Sequence, residues 1–454
     1  MDHQLAASLW QQMWQGLRGS GEPMPTLHFH DFATFPSAFA VSELAATSIA
    51  LATQAAADLI ASPGPVNINV RLASRWFQHS FQPRNRAAPA LWDPFAGDYA
   101  SADGWIRLHT NAPHHRAAME RVLGQHADRA ALKHTVARWN KAELEQAMID
   151  AGGCAAMMRS EAEWQQHPQG QAVSRTPLIA ARVCPEGPQP DWRFPRARPL
   201  LGVKVLDLTR IIAGPVATRF LASLGATVLR LDPPDWEEPT LEEEVTNGKR
   251  CARLDLKSAS GREAFRRLLK EADVLVHGLR ADALEALGFD AETRQAIAPG
   301  LVDVSLNAWG WNGPWRNRRG FDSLVQMGCG IAHQGMLWQG VDTPTPLPVQ
   351  ALDHATGYLM AAAALEGLRQ RRQQHTGWHA QLSLARTALL LQQHRYPADA
   401  SQTGIQPARH DSLAPVEITP WGIGERLRAA AYLSGTALVC ASPGTPLGSS
   451  APRW

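Results

Sequence analysis

The 454-residue chain is long enough for two domains, and hydrophobic residues make up 45% of it, which is enough to fill two cores. Its 44 basic and 42 acidic residues are spread along the chain and give a formal charge of +2, which argues against a nucleic-acid partner. No apolar run approaches the roughly 20 residues that span a bilayer, and no basic stretch precedes an apolar one at the N-terminus. We therefore expect a cytoplasmic protein with no membrane partner.

The first segment, residues 1–84, predicts helices and one short strand. An Ala-rich helical stretch at 42–60 is followed by the alternating strand 66–73 and by another helical stretch. The same order of helix, strand and helix recurs at 353–398, which indicates an internal repeat.

The second segment, residues 85–180, has a different pattern and predicts a small α+β domain. Residues 97–108 predict a hairpin with Asp103-Gly104 in its turn, and helical patterns follow at 116–123, 129–137 and 141–150. The proline-rich residues 181–198 are then predicted to be a linker.

The third segment, residues 199–398, predicts a Rossmann-like parallel sheet, so that the fold class is α/β. The run 205–215, Val-Leu-Asp-Leu-Thr-Arg-Ile-Ile-Ala-Gly-Pro, combines an apolar strand with a Gly-Pro turn, and a second apolar strand ends at Asp232. Strands at 203–208 and 227–232 should pair in parallel. The turn lacks the Gly-x-Gly-x-x-Gly pattern, so a dinucleotide cofactor is not expected. Residues 399–454 form a Ser-, Gly- and Pro-rich tail whose role stays open, with disorder as one alternative.

Metal binding is not predicted either. Five isolated cysteines form no Cys-x-x-Cys pair, and the alternating His28 and His30 are more typical of a polar strand edge than of a metal site.

The run 205–215 resembles the opening of class III CoA-transferases, the family of formyl-CoA transferase, carnitine CoA-transferase and α-methylacyl-CoA racemase. Six further segments resemble the same family in the same order: 247–257, 272–276, 284–289, 303–306, 320–322 and 352–357. In that family the small-domain hairpin follows the nucleotide-binding half, whereas here it precedes it. The resemblance therefore implies a rearranged member built from two halves.

The resemblance implies an acyl-CoA:carboxylate CoA-transferase whose covalent carrier is Asp353. Its small-molecule partners would be an acyl-CoA and a carboxylic acid, with coenzyme A as substrate and no permanently bound cofactor. A carboxylate can attack a thioester to form a mixed anhydride and then an aspartyl-CoA thioester. Without the resemblance, Asp353 would be interpreted as the N-cap of the Ala-rich helix that follows it. Its neighbours Ala355, Thr356 and Gly357 are expected to leave room for acyl-CoA.

The resemblance also implies CoA contacts and a quaternary structure. Carried over position by position, the CoA contacts fall on Ile212, Ala213, Pro233, Lys249, Gly278, Leu279, Arg280, Ala286 and Asn307. Positions 212, 233, 286 and 307 lack the polar residues of the formyl-CoA branch, which makes formyl-CoA a poor expectation as substrate. Arg230 and Arg280 are alternative sources of charge for a phosphate. Family members form dimers of linked rings, and we expect a homodimer here.

Two alternatives remain open. The racemase branch of the family places a histidine before the aspartate at 322, where this chain has Phe321, and a phenyl ring cannot carry a proton. Because this histidine is missing, a 2-methylacyl-CoA racemase or epimerase is the second hypothesis, after the transferase. A catalytically silent CoA-binding paralogue is the third. Asp322 is interpreted as a turn or cap residue. Glu43, where the repeat places the counterpart of Asp353, is interpreted as a helix-start acid.

Overall fold

The computed structural model describes residues 1–62, 64–397, 402 and 404–454. Its N-terminal part consists of α1 (His3–Arg18), β1 (Leu27–His30), α2 (Val41–Leu59), β2 (Val66–Asn69), α3 (Val70–Gln78) and β3 (Phe81–Pro83). The carboxylate of Asp2 begins α1, since it accepts the backbone N–H groups of Gln4 and Leu5. The Ala-rich α2 is almost completely buried, because its small side chains allow other helices to pack closely on every face.

A separate small unit follows. Its elements are β4 (Gly97–Ser101), β5 (Gly104–Leu108), α4 (Pro113–Leu123), α5 (Arg129–Val136), α6 (Lys141–Asp150) and β6 (Ala155–Met157). The three strands form an antiparallel sheet in the order β4-β5-β6. Tyr99, Ile106, Leu132 and Met148 belong to its own hydrophobic core. The hairpin at 97–108 and the three helices predicted from the sequence are thus present.

The large unit begins with two short helices and an edge strand. The elements are α7 (Glu161–Gln166), α8 (Pro168–Ser174), β7 (Ala180–Glu186), β8 (Lys204–Leu208), α9 (Ala213–Ser223), β9 (Thr227–Asp232), α10 (Glu242–Val245), β10 (Lys249–Arg253), α11 (Ala259–Lys270) and β11 (Val274–His277). They continue with α12 (Ala291–Ile297), β12 (Val302–Asn307), α13 (Asp322–Gly328), α14 (Ile331–Gln339), α15 (Ala351–Gln374), β13 (Thr376–Ser383) and α16 (Leu384–Gln392). Single 3-10 turns lie at Glu285–Leu287 and Arg409–Asp411.

The central sheet of this unit has seven strands in the order β10-β9-β8-β11-β12-β13-β7, and only β7 is antiparallel. Leu206 pairs with Leu229 in the register of β8 and β9, so the predicted parallel pairing of these strands is confirmed. One face packs against α9 and α15, and the other packs against α11 through residues such as Phe265. Both faces are covered by helices, which makes this a three-layer α/β unit.

Two sequence-based boundaries differ from the structure. Residues 181–186 were predicted to be linker, yet they form most of β7. An edge strand tolerates Pro185, whose missing N–H faces no partner strand. In addition, α7 and α8 lie within the predicted small domain 85–180 but pack against α14 and α16 of the large unit.

The C-terminal residues also carry strands: β14 (Glu417–Thr419), β15 (Gly422–Arg426) and β16 (Ala431–Tyr432). β15 pairs with β3, and β16 pairs with β2, so this segment completes two sheets begun near the N-terminus. The predicted boundary between 199–398 and the tail 399–454 lies outside the described residues.

The two segments of the proposed repeat lie side by side. The order α2, β2, α3 in the N-terminal part matches the order α15, β13, α16 in the large unit, and α2 packs along α15. Within the described residues, no helix is both long enough and apolar enough to cross a membrane.

Candidate functional site

Asp353 is the third residue of α15, and its residue is only 6% exposed. The helix begins after Gln350, whose side chain makes no capping hydrogen bond. Across residues 1–62, 64–397, 402 and 404–454, the carboxylate of Asp353 receives no hydrogen bond that meets standard geometry. The N-cap interpretation of Asp353 is therefore wrong, because Gln350 occupies the N-cap position and the Asp353 carboxylate accepts no hydrogen bond from the residues described.

Asp322 supplies the missing cap from another helix. This first residue of α13 is fully buried, and its Oδ2 accepts the backbone N–H of Asp353 at 2.9 Å. Its Oδ1 accepts the side-chain amide of Gln326 at 2.5 Å. Asp322 therefore satisfies an orphan N–H at the start of α15, which leaves the carboxylate of Asp353 free for other chemistry.

The two aspartates influence each other's protonation. Burial raises the pKa of Asp322 to about 6. Burial, together with the negative charge of Asp322, raises the pKa of Asp353 well above its ordinary value. Like charges at such a site cannot both ionise easily, so the pair holds a proton at pH values where an exposed aspartate is ionised.

The small residues after Asp353 serve packing rather than substrate access, which corrects the expectation from the sequence. A Cβ on Gly357 would lie 2.4 Å from the carbonyl oxygen of Ala213, so glycine is required where α15 meets α9. Ala355 and Thr356 are fully buried, and the hydroxyl of Thr356 lies 2.7 Å from that of Thr387. None of the three lines the cavity beside Asp353.

A cavity of about 290 Å³ lies beside Asp353, between the large and small units. Its walls come from three places: the small unit and the segment before it, the β8–α9 turn with residues 236–241, and the starts of α13 and α15. The lining includes Trp92, His109, Asn111, Ile211, Ile212, Trp236, Glu238, Phe321 and Asp353. The volume is close to the lower end of small-molecule sites, about 300 Å³.

The β8–α9 turn on this cavity is strained. Ile211 has a φ of 68°, which is rare for a β-branched residue. Its backbone N–H donates to Glu238 at 3.0 Å, and the indole of Trp236 donates to the same carboxylate oxygen at 3.1 Å. Strained backbone held by such contacts is typical of functional sites.

Lys249, a predicted CoA contact, lies beneath this turn instead of on the cavity. Its side chain is fully buried, and its ammonium donates to Asp207 and to the carbonyl oxygen of Pro215, each at 3.1 Å. Burial lowers the pKa of Lys249. Arg230, the alternative phosphate ligand, is also fully buried and pairs with Asp232 and Glu238. In this structure neither cation lines the Asp353 cavity.

Five other residues for which the family resemblance implies CoA contacts lie near the ends of the strands. Ile212 lines the Asp353 cavity, and Ala213 begins α9 directly below Gly357. The Asn307 amide is occupied by both backbone groups of Gly310. Leu279 packs against the core beneath the sheet, whereas Arg280 lines a second cavity of about 290 Å³ together with His277, Arg316 and His379.

The turns that carry Ile212 and Arg280 are neighbours. β8 pairs with β11, and Leu208 is in register with His277 at the carboxyl ends of the two strands. The chain runs outward from β8 to β9 and β10 on one side and from β11 to β12 and β13 on the other. This reversal is the topological switch point, where open α/β sheets bind ligands.

His109 was not predicted from the sequence; it lines the Asp353 cavity and stacks on Phe321 with ring centroids 4.0 Å apart. The residue is 5% exposed, and its buried Nδ1 has no hydrogen-bond partner among the described residues. Burial, with His115 and Arg107 nearby, lowers the pKa of His109 to about 3, so its imidazole is neutral near pH 7. Its chain position after β5 carried no motif that would have indicated this role.

Glu43 occupies the third position of α2 and is fully buried. Its carboxylate accepts the backbone N–H of Asp2 at 2.7 Å and the hydroxyl of Tyr396. No group of three or more His, Cys, Asp or Glu side chains placed to hold a metal ion was found among the described residues.

The sequence is similar to known CoA-transferases. The sequence model of CoA-transferase family III matches residues 200–423. An acyl-CoA transferase from Gibberella moniliformis is 27% identical over 73% of this chain, and a succinate–glutarate CoA-transferase from Agrobacterium fabrum is 28% identical over 50% of it. In each case the match spans 62% of the relative's length. A solved CAIB/BAIF family protein from Brucella suis is 26% identical over 50% of this chain and 65% of its own, with a TM-score of 0.38.

Proposed function

We propose that this chain, whose residues 200–423 match the sequence model of CoA-transferase family III, transfers coenzyme A from an acyl-CoA to a carboxylic acid through Asp353. The observation that carries the proposal is the carboxylate of Asp353, buried and unpartnered at a cavity between the two units. A structural acid at a helix start would be hydrogen-bonded, because burying an unsatisfied carboxylate costs free energy.

The proposed reaction uses Asp353 as a covalent carrier. Its carboxylate attacks the thioester carbonyl carbon, and the C–S bond breaks to give a mixed anhydride and CoA thiolate. The thiolate then attacks the Asp353 carbonyl carbon, releases the donor carboxylate and forms an aspartyl-CoA thioester. The acceptor carboxylate attacks that thioester, and the thiolate expelled in this step attacks the acceptor acyl carbon. The last attack regenerates Asp353 and releases the new acyl-CoA.

Burial and the negative charge of Asp322 raise the pKa of Asp353. Only the ionised carboxylate is a nucleophile, so turnover requires the Asp322–Asp353 pair to release the proton that burial favours. The position of Asp353 in the first turn of α15 assists, because the N-terminal end of a helix stabilises negative charge.

Coenzyme A would cross the topological switch point. Its thioester end would lie at Ile212 and Asp353, and its phosphate-bearing end would lie toward Arg280 and Arg316 in the second cavity. The adjacent carboxyl ends of β8 and β11 support this path. Guanidinium groups are the preferred protein ligands of phosphate, and Arg280 is partly exposed.

Homodimer formation and a cytoplasmic location are further parts of this proposal. The family resemblance supports the homodimer. Light scattering at micromolar protein concentration tests it, since a monomeric mass would contradict it.

The direct test is an assay with a panel of acyl-CoA donors and carboxylic acids. Ligands that bind the native state raise the melting temperature, so a thermal-shift screen first selects the donors. We expect CoA to move from a stabilising donor to an acid, and no transfer with any pair would contradict the proposal. A racemase would exchange the α-proton of a bound 2-methylacyl-CoA with solvent deuterium. Because Phe321 cannot carry a proton, we expect no such exchange.

A further inference from the structure

His109 reaches the cavity from a different part of the chain than Asp353 and Phe321 do. It follows β5 of the small unit, whereas Asp353 and Phe321 belong to the large unit. Its imidazole stacks on Phe321 with an interplanar angle of 4°, and Phe321 directly precedes the Asp322 that caps α15. The stack therefore fixes the imidazole plane beside the aspartate pair.

Aromatic packing holds the imidazole in place. Trp92 and His115 contact its edge with ring centroids 6.0 and 6.2 Å away. Within the part of the chain that the structure describes, the buried Nδ1 makes no hydrogen bond. Since Nδ1 is buried without a partner, the tautomer with its proton on Nε2 is the one that avoids a buried N–H lacking an acceptor.

We propose that the neutral imidazole of His109 donates its Nε2–H to the thioester carbonyl oxygen when Asp353 attacks. This inference rests on the proposed function. As the bond from Asp353 to the carbonyl carbon forms, negative charge moves from the carboxylate to the carbonyl oxygen, where a hydrogen bond stabilises it. When the carbonyl re-forms, the charge leaves with the CoA thiolate. No proton is transferred to or from His109.

The electrostatics of the site favour a neutral donor. Burial, His115 and Arg107 together hold the pKa of His109 near 3, so the ring stays uncharged throughout the neutral pH range. A neutral imidazole polarises a carbonyl oxygen, whereas an imidazolium would form an ion pair with the nucleophilic carboxylate. Donors that meet the charge only as it develops are among the largest single contributions to catalysis.

The test compares His109→Ala, His109→Gln and the control His114→Ala with the unsubstituted protein. His114 is exposed, and its ring centroid lies 4.1 Å from that of His115, but it does not line the cavity. We expect His109→Ala to lower kcat about 100-fold with little change in KM, which is the usual cost of one lost oxyanion donor. His109→Gln should recover part of this loss, because its amide N–H can donate. His114→Ala should match the unsubstituted protein.

The pH profile separates a hydrogen-bond donor from an acid or base. The ratio of unsubstituted to His109→Ala rates should stay constant from about pH 6 to about pH 9, since the imidazole does not titrate there. A ratio that varies with pH, together with solvent deuterium at the substrate α-carbon, would overturn the proposal in favour of proton transfer.

Two further outcomes are decisive. If the unsubstituted protein transfers CoA and His109→Ala does so equally fast, the role of His109 is wrong while the proposed function stands. If the unsubstituted protein neither transfers CoA nor forms a covalent intermediate at Asp353, the proposed function and the role of His109 are both wrong. Should His109→Ala melt at a much lower temperature, the volume-conserving His109→Gln decides, and complete inactivity of a well-folded Gln variant would contradict the donor role.

Discussion

The starts of α2 and α15 each place a buried acid at the same helix position, but the two acids differ in their hydrogen bonding. Both helices are Ala-rich, pack along each other and are followed by a strand and a second helix. Glu43 and Asp353 are each the third residue of their helix. The carboxylate of Glu43 accepts hydrogen bonds from Asp2 and Tyr396, whereas the carboxylate of Asp353 accepts none from the described residues and lies near the charge of Asp322.

The difference shows that helix position alone does not create a nucleophile. The first turn of a helix favours any acid through its dipole and its free N–H groups. At α2 these preferences and two hydrogen bonds produce a structural residue. At α15 the cap comes from Asp322, so the carboxylate of Asp353 remains at a cavity, where it can react.

The largest effect should follow from Asp353→Asn. The amide keeps the size of the side chain and leaves the backbone bond to Asp322 intact, but it cannot attack a thioester. We expect turnover to fall at least about 10⁴-fold, the scale seen when a covalent nucleophile is removed. Acyl-CoA binding should be retained, as measured by calorimetry. The matched control is Glu43→Gln, and equal activity loss in both variants would break the distinction between the two helices.

Glu43→Gln should instead act on stability. A glutamine side chain can still accept the Asp2 N–H and can donate to the Tyr396 hydroxyl oxygen, but it replaces hydrogen bonds to a charged carboxylate with weaker bonds between neutral groups. The free energy of unfolding should fall by about 1 kcal/mol, the difference between hydrogen bonds to a charged acceptor and hydrogen bonds between neutral groups. Urea unfolding measures this, and CoA transfer by the folded fraction should be normal. Normal stability with lost transfer would reverse the roles assigned here.

Asp322→Asn tests the coupling between the aspartates. Removing the charge of Asp322 should lower the pKa of Asp353, because that charge raises it. The acidic limb of the kcat/KM profile should therefore move to lower pH. A profile that stays in place, with activity retained, would show that the two carboxylates do not share a proton.

The smallest expected effect is on how the free energy of unfolding depends on pH. The folded pKa of Asp322 is raised to about 6 from a usual value of 3.8, so folding is favoured when this group is protonated. Its contribution is present at low pH and is lost as pH rises toward about 6. As pH rises through this window, the free energy of unfolding of Asp322→Asn should increase relative to that of the unsubstituted protein by up to about 1.4 kcal/mol per pH unit. Urea unfolding of both proteins at several pH values checks the slope, and a constant difference would contradict it.

The sequence predicted the parts of the fold that have strong local patterns. Periodicity indicated the pairing of β8 with β9 and the helices of the small unit. It failed at β7, because Pro185 and its flanking prolines are typical of linkers, and only the neighbouring strand β13 makes an edge strand of this segment. The strands β14 to β16 are too short to show alternation, and they depend on partners near the N-terminus.

The site was predictable only as far as a motif reaches. The resemblance singled out Asp353, but position-by-position transfer could not show that Lys249 is buried against Asp207. It also could not indicate His109, which meets Phe321 only through the docking of two distant segments. Burial and long-range contacts are set by tertiary packing, which no single stretch of sequence contains.

The central claim is that Asp353, and not Asp322 or Glu43, forms the covalent thioester with CoA. The protein is incubated with an acyl-CoA, without added acceptor acid, and then treated with borohydride, which reduces an aspartyl thioester to homoserine. Mass spectrometry of the digested protein locates the change. The account predicts homoserine at position 353, with Asp322 and Glu43 unmodified. CoA transfer that proceeds with Asp353 unmodified, or with the modification at Asp322, would contradict it.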